Sequence, residues 1–140
     1  MLRTLLPLPF LLLMGCSTQE PRGSCGESFC LPASANLLAK ETPVHDFNLY
    51  QVQWRGERFG IYEGNHPQVS VDDSSMNTQL PIDPSAMLHV YEGRGDVLIK
   101  VSTDCQSDEL CWPAALHVMG PCQSSKQCRL KDFAAELSLR

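Results

Sequence analysis

The sequence predicts a small α+β fold in which β-strands dominate, built on one antiparallel sheet made of two hairpins. Two stretches, 47–63 and 87–103, alternate apolar and polar residues on either side of a glycine-containing turn, which is typical of β-hairpins. Four of the seven cysteines fall within 105–128, which indicates a C-terminal third held by disulfides. Short helices complete the prediction, and a chain of 140 residues has room for one such domain.

The first fifteen residues have the composition of an export signal. Arg3 supplies one positive charge, and residues 5–14 (LLPLPFLLLM) then contain no charge at all. This apolar run is about half the roughly 20 residues that a membrane-spanning helix needs. A basic tip followed by a short apolar stretch therefore predicts a cleaved signal peptide over residues 1–15.

The sequence Leu13-Met14-Gly15-Cys16 closes the apolar run and resembles the lipobox of bacterial lipoproteins. The resemblance implies cleavage before Cys16 and lipid attachment to that cysteine. Two or three acyl chains would hold the protein stably, because each buried methylene contributes about 0.8 kcal/mol. Ser17, where aspartate would favour the inner membrane, implies an outer-membrane protein of the bacterial envelope that faces the periplasm.

The cysteines other than Cys16 are even in number, and in an exported protein this predicts disulfides rather than metal ligands. The candidates are Cys25, Cys30, Cys105, Cys111, Cys122 and Cys128. Local spacing favours pairing of the first two, whereas the other four either pair as sequence neighbours or interleave. Because no C-x-x-C spacing occurs, we predict no zinc site and no other metal site.

The mature chain begins with a tether. Residues 16–24 are predicted to be the lipidated N-terminus and a flexible link, because STQEPRGS (17–24) is polar and contains proline and glycine. Residues 25–140 are predicted to form a single globular domain. Within it, segment 31–45 is ambiguous: its composition is compatible with two helical turns over Ala33–Lys40, and Pro43 would end any helix there.

The first hairpin is the clearest local pattern. In FNLYQVQW (47–54), strand spacing puts Tyr50, Val52 and Trp54 on one face, while Phe47 and Leu49 point to the other. Residues 55–57 supply the turn and RFGIYE (58–63) the returning strand. A short third strand is predicted at 68–71.

The second hairpin pairs MLHVYE (87–92) with DVLIKVST (96–103) around Gly93-Arg94-Gly95. Its predicted core residues are Leu88, Val90, Val97, Ile99 and Val101.

Two further segments are predicted for the C-terminal third. A short helix is expected near 114–118. The tail 128–140 (CRLKDFAAELSLR) fits either a helix or a closing strand, and we favour the helix because its apolar residues recur at helical spacing.

Charge excludes one class of partner. The chain has 11 lysines and arginines against 16 aspartates and glutamates, whereas nucleic-acid binding depends on clustered basic residues. The acidic balance fits a solvated domain or one that meets a basic protein.

Residues with catalytic chemistry are scattered. The four histidines have no H-x-x-x-H spacing, and the chain has neither a G-x-S-x-G motif nor a phosphate-binding glycine loop. The acid–imidazole neighbours are His45-Asp46 and Glu63 with His66, at the two ends of the first hairpin, where they would have the chance to meet. Asp72-Asp73 are adjacent carboxylates whose side chains would diverge in a strand. We therefore predict no catalytic residues and no cofactor.

Aromatic residues are the remaining functional lead, since they often anchor protein interfaces, although filling the core of a thin sheet is the simpler explanation. They are Tyr50, Trp54, Tyr62, Tyr91 and Trp112. Together with the predicted location in the cell envelope, they favour a lipid-anchored protein that binds, or inhibits, another protein without catalysis. The alternative is a structural accessory of an outer-membrane or secretion assembly, and an enzyme is the third class.

Overall fold

The computed structural model describes residues 23–44, 46–67, 74–101 and 113–140. In this part of the chain, strands β2 to β8 form a seven-stranded antiparallel sheet in the order β2-β3-β4-β8-β7-β6-β5, and β1 pairs with β9 in a separate two-stranded sheet. The strands are β1 (Phe29–Cys30), β2 (Ala35–Val44), β3 (Phe47–Trp54), β4 (Glu57–Gly64), β5 (Met76–Asn77), β6 (Met87–Tyr91), β7 (Arg94–Lys100), β8 (Ala115–Pro121) and β9 (Ser138–Leu139), and the helix is α1 (Arg129–Ala135).

The β-dominated antiparallel architecture is as predicted, but the sheet is larger than two hairpins. Both hairpins are present, as β3–β4 and β6–β7, and β8 lies between them, paired with β4 on one side and β7 on the other. The helix expected at 114–118 is therefore wrong. Leu116 and Val118 face the core while Met119 lies half-buried on the opposite side, which is the two-residue period of a strand.

The segment Ala33–Lys40, which the sequence left ambiguous, does not form the two helical turns. That segment contributes to β2, which pairs with β3 in a register that sets Leu37 opposite Val52 and Lys40 opposite Tyr50. Leucine, alanine and lysine favour helix when isolated. Here the backbone hydrogen bonds to β3 decide the conformation instead.

Both hairpin turns contain two residues with positive φ. They are Arg55 (φ 49°) with Gly56 (φ 82°), and Glu92 (φ 46°) with Gly93 (φ 77°). Two successive left-handed residues match a type I′ turn, whose twist suits the flanking strands. The turns lie at 55–56 and 92–93, so β4 and β7 each begin one or two residues earlier than the sequence predicts.

The core lies on one face of the large sheet, and its central row crosses five strands. Tyr50, Ile61, Val118, Val97 and Leu88 are neighbours in that row and are all buried. Leu88, Val97 and Ile99 are buried core residues as predicted, and Val90 and Val101 are partly buried against them.

Helix α1 covers this core face and confirms the helix favoured for the tail, which ends in the short strand β9. The Phe133 ring stacks on Phe59 with centroids 4.3 Å apart and lies tilted against Trp54 at 5.6 Å. Gly95 lets the helix approach closely, because a Cβ there would lie 3.3 Å from the Leu130 side chain and 3.0 Å from Cys122.

Among the described residues, two disulfides close short loops of the fold. Cys25–Cys30 closes the loop before and into β1, and Cys122–Cys128 closes the connection from β8 to α1. Several predicted features lie outside the described residues: the signal peptide and lipobox, His45, the strand at 68–71, Asp72-Asp73, Cys105, Cys111 and Trp112. In the part of the chain that the structure describes, no helix is long and apolar enough to cross a bilayer.

Candidate functional site

The candidate site lies on the sheet face opposite the core, which we call the open face. The described elements outside the large sheet lie on the core side, since α1 packs on Phe59 and β1 packs on Tyr50. Alternation along β3, β4, β6, β7 and β8 therefore leaves a second set of side chains on the open face, most of them half-buried. They are Phe47, Leu49, Tyr62, Met87, His89, Asp96, Leu98, His117 and Met119.

A cavity of about 540 Å³ lies at one end of the open face, and we call it the end pocket. Its lining combines two aromatic rings, two imidazoles, a thioether and a carboxylate: Asp46, Phe47, Tyr62, His66, His117 and Met119. This volume falls within the range of pockets that hold a small molecule or a protruding side chain.

The aromatic wall of the end pocket is fixed by local geometry. The rings of Phe47 and Tyr62 stack with centroids 5.3 Å apart. Tyr62 Oη accepts a hydrogen bond of 3.1 Å from the backbone N–H of His66, which holds the following loop against the ring. Glycine is needed at position 64, because a Cβ there would lie only 2.6 Å from Tyr62 Oη.

A second cavity, of about 230 Å³, continues from Met119 toward the β2 edge of the sheet, and we call it the edge pocket. Ala39, Glu41, Leu49 and Gln51 lie along it. Because Met119 borders both cavities, the two form one groove that runs from the edge strand to the aromatic wall.

Polar side chains cluster on the open face beside Met119. His117 is 8% exposed, and its Nε2 lies 3.1 Å from Asp96 Oδ1 without the alignment of a hydrogen bond. Tyr91 Oη donates to the same Asp96 oxygen at 3.3 Å, and the His89 ring lies 5.2 Å from the Tyr91 ring. Partial burial, with the Asp96 charge next in importance, raises the pKa of Tyr91.

Glu63 occupies a different environment from the one the sequence suggested. Its carboxylate is fully buried on the core face, where it accepts hydrogen bonds from Ser28 N–H (2.8 Å), Ser28 Oγ (2.6 Å), Tyr50 Oη (2.6 Å) and Asn48 Nδ2 (3.2 Å). His66 lies on the other side of the sheet, at the end pocket. The two residues are therefore not an acid–imidazole pair.

The hydrogen bonds around Glu63 set the ionisation of the cluster. Burial raises the pKa of the Glu63 carboxyl, but the donors from Ser28, Tyr50 and Asn48 together outweigh it and hold the pKa below its usual value. Burial, and then the hydrogen bond to Glu63 and its charge, raises the pKa of Tyr50. At neutral pH the cluster is thus a buried carboxylate held by neutral donors, which suits a structural role.

The two ends of the first hairpin lie close together, as the sequence allowed, but the residues that meet there do not include Glu63. Asp46 and His66 line the same pocket, joined there by His117 from β8. Sequence reasoning missed His117 and Met119 as site residues because it assigned 114–118 to a helix. The short apolar run ALHVMG, 115–120, bounded by Pro113 and Pro121, was the signal for a strand that would have put them on the open face.

The aromatic candidates divide between two roles. Tyr50 and Trp54 are core residues, Tyr62 forms the wall of the end pocket, and Tyr91 is exposed beside Asp96. In the described ranges, no group of three or more histidine, cysteine, aspartate and glutamate side chains is placed to hold a metal ion.

No protein-family model matches the chain, and neither a curated protein nor a solved structure matches it.

Proposed function

We propose that this chain is a lipid-anchored protein of the bacterial cell envelope that binds another protein, without catalysis, through the open face. The observation that carries the proposal is a row of side chains that crosses five strands, is apolar except for His117 at its centre, and is covered by none of the described elements. The row consists of Leu49, Tyr62, His117, Leu98 and Met87. Half-buried apolar side chains with polar neighbours are a common composition for a protein interface.

The anchor at Cys16 supports an envelope location for this binding. A tether of residues 16–24 keeps the domain near the membrane, where a partner in the periplasm is within reach. The acidic excess of 16 to 11 favours a basic partner, because opposite charges accelerate encounter. A basic cell-wall hydrolase or an incoming basic toxin has this chemistry, and binding to either would make the protein an inhibitor.

The composition of the end pocket favours binding over chemistry. Its carboxylate comes from the turn residue Asp46, while Glu63, whose carboxylate accepts several hydrogen bonds, is buried on the other side of the sheet. The Phe47–Tyr62 stack offers a flat apolar wall instead, and rigid aromatic rings of this kind anchor interfaces.

Photo-cross-linking in cells tests the proposal with the full, lipidated chain. A benzoylphenylalanine replaces Tyr62 on the open face, and the control replaces the exposed Gln127, which lies within the loop closed by Cys122–Cys128. We expect a discrete adduct with one envelope protein from position 62 and none from position 127. Equal labelling from both positions, or no adduct from position 62, would contradict the proposal.

Two further measurements test the lipid anchor and distinguish an inhibitor from a structural accessory. The mass of the intact mature protein should show acyl chains, and Cys16→Ser should remove them. If the cross-linked partner is a hydrolase, the purified protein should lower its activity. A partner that belongs to a stable membrane complex and co-purifies with this chain would instead favour the structural accessory.

A further inference from the structure

The β2 edge of the large sheet offers a second kind of contact. β2 pairs with β3 on one side, and no other described strand pairs with it, so ten residues, Ala35–Val44, form an edge. Unpaired backbone N–H and C=O groups along an edge can extend the sheet with a strand from another chain. The opposite edge, β5, has only two residues.

Two exposed leucines on the β2 edge are suited to contact with another chain. Leu37 is 37% exposed and Leu38 is 46% exposed, next to each other in the strand. Edges that only need protection carry charges, proline or bulges. β2 has two charged residues, Pro43 and two register irregularities, one at Leu38 and one between Glu41 and Val44. The first irregularity nevertheless leaves Leu38 as the more exposed of the two leucines.

We propose that the partner adds an extended segment to the β2 edge, with a basic residue opposite Glu41 and an apolar residue opposite Leu37. This inference rests on the proposed function and names how the partner binds. Side chains of a strand alternate between faces, and Ala39 and Glu41 lie on the open-face side of β2 at the edge pocket. Alternate side chains of an added strand would therefore enter the groove that leads to Met119 and the end pocket.

Charge favours a partner with a basic residue at this position, because Glu41 is an exposed acidic side chain at the edge pocket. Directly opposed side chains in an antiparallel pair lie on the same face and interact. For a second copy of this chain, charge disfavours the two symmetric pairings centred on Lys40 and on Glu41, which would oppose two lysines or two glutamates. A basic residue opposite Glu41 also suits the acidic balance of the whole chain.

Synthetic peptides test the proposal directly. Three acetylated and amidated ten-residue peptides alternate valine and threonine and differ at one central position, which holds lysine, glutamine or glutamate. Fluorescence anisotropy with the full lipidated protein in micelles should show saturable binding of the lysine peptide below about 1 mM, about threefold tighter than the glutamate peptide. Hydrogen exchange should show protection of the β2 amides.

Variants at exposed positions locate the contact without disturbing the core. Glu41→Lys should reverse the order of the lysine and glutamate peptides, and Leu38→Lys should weaken all three. The matched controls are Glu92→Lys in the second hairpin turn and Met76→Lys on the opposite edge, which is 39% exposed. Neither control should change peptide affinity.

Specific results would overturn the inference. The first is that no peptide binds saturably. The second is that hydrogen exchange shows protection of the Tyr62 and Met119 amides but not of the β2 amides. The third is that the order of peptide affinities is unchanged in Glu41→Lys. Sedimentation that shows a dimer lost in Leu38→Lys would make a second copy the occupant. If the Tyr62 cross-link persists unchanged in Leu38→Lys, the proposed function stands and strand addition fails.

Discussion

Ser28 binds one oxygen of Glu63 twice, because its backbone N–H (2.8 Å) and its hydroxyl (2.6 Å) both donate to Glu63 Oε1. Glu63 lies in β4 near the middle of the sheet, whereas Ser28 precedes β1 inside the loop closed by Cys25–Cys30. The N-terminal loop is therefore attached to the core by a buried carboxylate. This attachment makes Glu63 a determinant of stability and not a partner of His66, with which the sequence spacing allowed it to meet.

Replacing Glu63 by glutamine should destabilise the fold. The amide is nearly the same size, but its NH2 group would face donors from Ser28, Tyr50 and Asn48, so charge-assisted hydrogen bonds would be lost. We expect a loss of about 3 kcal/mol in the free energy of unfolding, measured with urea. Glu92→Gln, in an exposed turn, is the control and should change stability by less than about 0.5 kcal/mol. A loss below about 1 kcal/mol for Glu63→Gln would show that the cluster is weakly coupled to folding.

The Glu63 contribution should disappear in acid. The native carboxyl has a pKa below its ordinary value of 4.5, since the hydrogen bonds outweigh burial. A lowered native pKa stabilises the fold fully above the pKa of the unfolded chain, and this contribution is lost as pH falls through the native pKa. The difference in unfolding free energy between wild type and Glu63→Gln should be constant from about pH 7 to 5 and shrink below about pH 4. A difference that grows in acid would contradict the assignment.

Tyr50 should ionise late in the native protein. Burial, the hydrogen bond to Glu63 and the Glu63 charge all raise its pKa above the ordinary 10.0. A raised native pKa stabilises the fold fully below the pKa of the unfolded chain, and this contribution is lost as pH rises through the native pKa. Absorbance titration of the three tyrosines should show that the last group to ionise is lost in Tyr50→Phe, while Tyr91, whose pKa is also raised, remains. Glu63→Gln should shift the last group to lower pH, and an unchanged last group in Tyr50→Phe would assign it to another tyrosine.

The sequence predicted the hairpins well because their information is local. In β3, alternation alone placed Tyr50, Val52 and Trp54 on one face, and the structure shows that all three are buried on the core face. The tail helix followed in the same way, since Leu130, Phe133 and Ala134 make one apolar side.

The features that the sequence did not predict depend on contacts between residues that are distant in sequence. β2 and β8 contain good helix formers, and each is a strand because a neighbouring strand supplies its hydrogen bonds. The open-face groove needs β8 between the hairpins, so the hairpins alone did not reveal it. For Glu63, spacing could not show that Ser28, 35 residues earlier, would satisfy its charge.

The Cys25–Cys30 disulfide should be energetically coupled to Glu63. The loop that it closes contains Glu27 and Ser28, whose backbone N–H groups both point to the Glu63 carboxylate, at 3.4 and 2.8 Å. Removing both cysteines as Cys25→Ser and Cys30→Ser should cost about 2 kcal/mol by the loop-entropy estimate. In combination with Glu63→Gln, the loss should be about 1 kcal/mol smaller than the sum, because both changes release the same contacts.

The second disulfide provides the matched control for this cycle. Cys122–Cys128 spans six residues against five for Cys25–Cys30, so its loop entropy is similar, but its loop lies between β8 and α1. Cys122→Ser with Cys128→Ser should therefore be additive with Glu63→Gln to within about 0.5 kcal/mol. Equal coupling of both disulfides to Glu63 would point to a global effect on the unfolded chain.

Phe133 should carry most of the attachment of α1 to the sheet. It is fully buried, stacks on Phe59 at 4.3 Å and contacts Trp54 at 5.6 Å. Phe133→Ala would remove those contacts and leave a cavity that a seven-residue helix cannot fill, so we expect a loss of about 4 kcal/mol in the free energy of unfolding. Arg129→Ala, at an exposed position of the same helix, should change stability by less than about 0.5 kcal/mol. Equal losses for the two variants would mean that the helix is held by its disulfide and not by its apolar side.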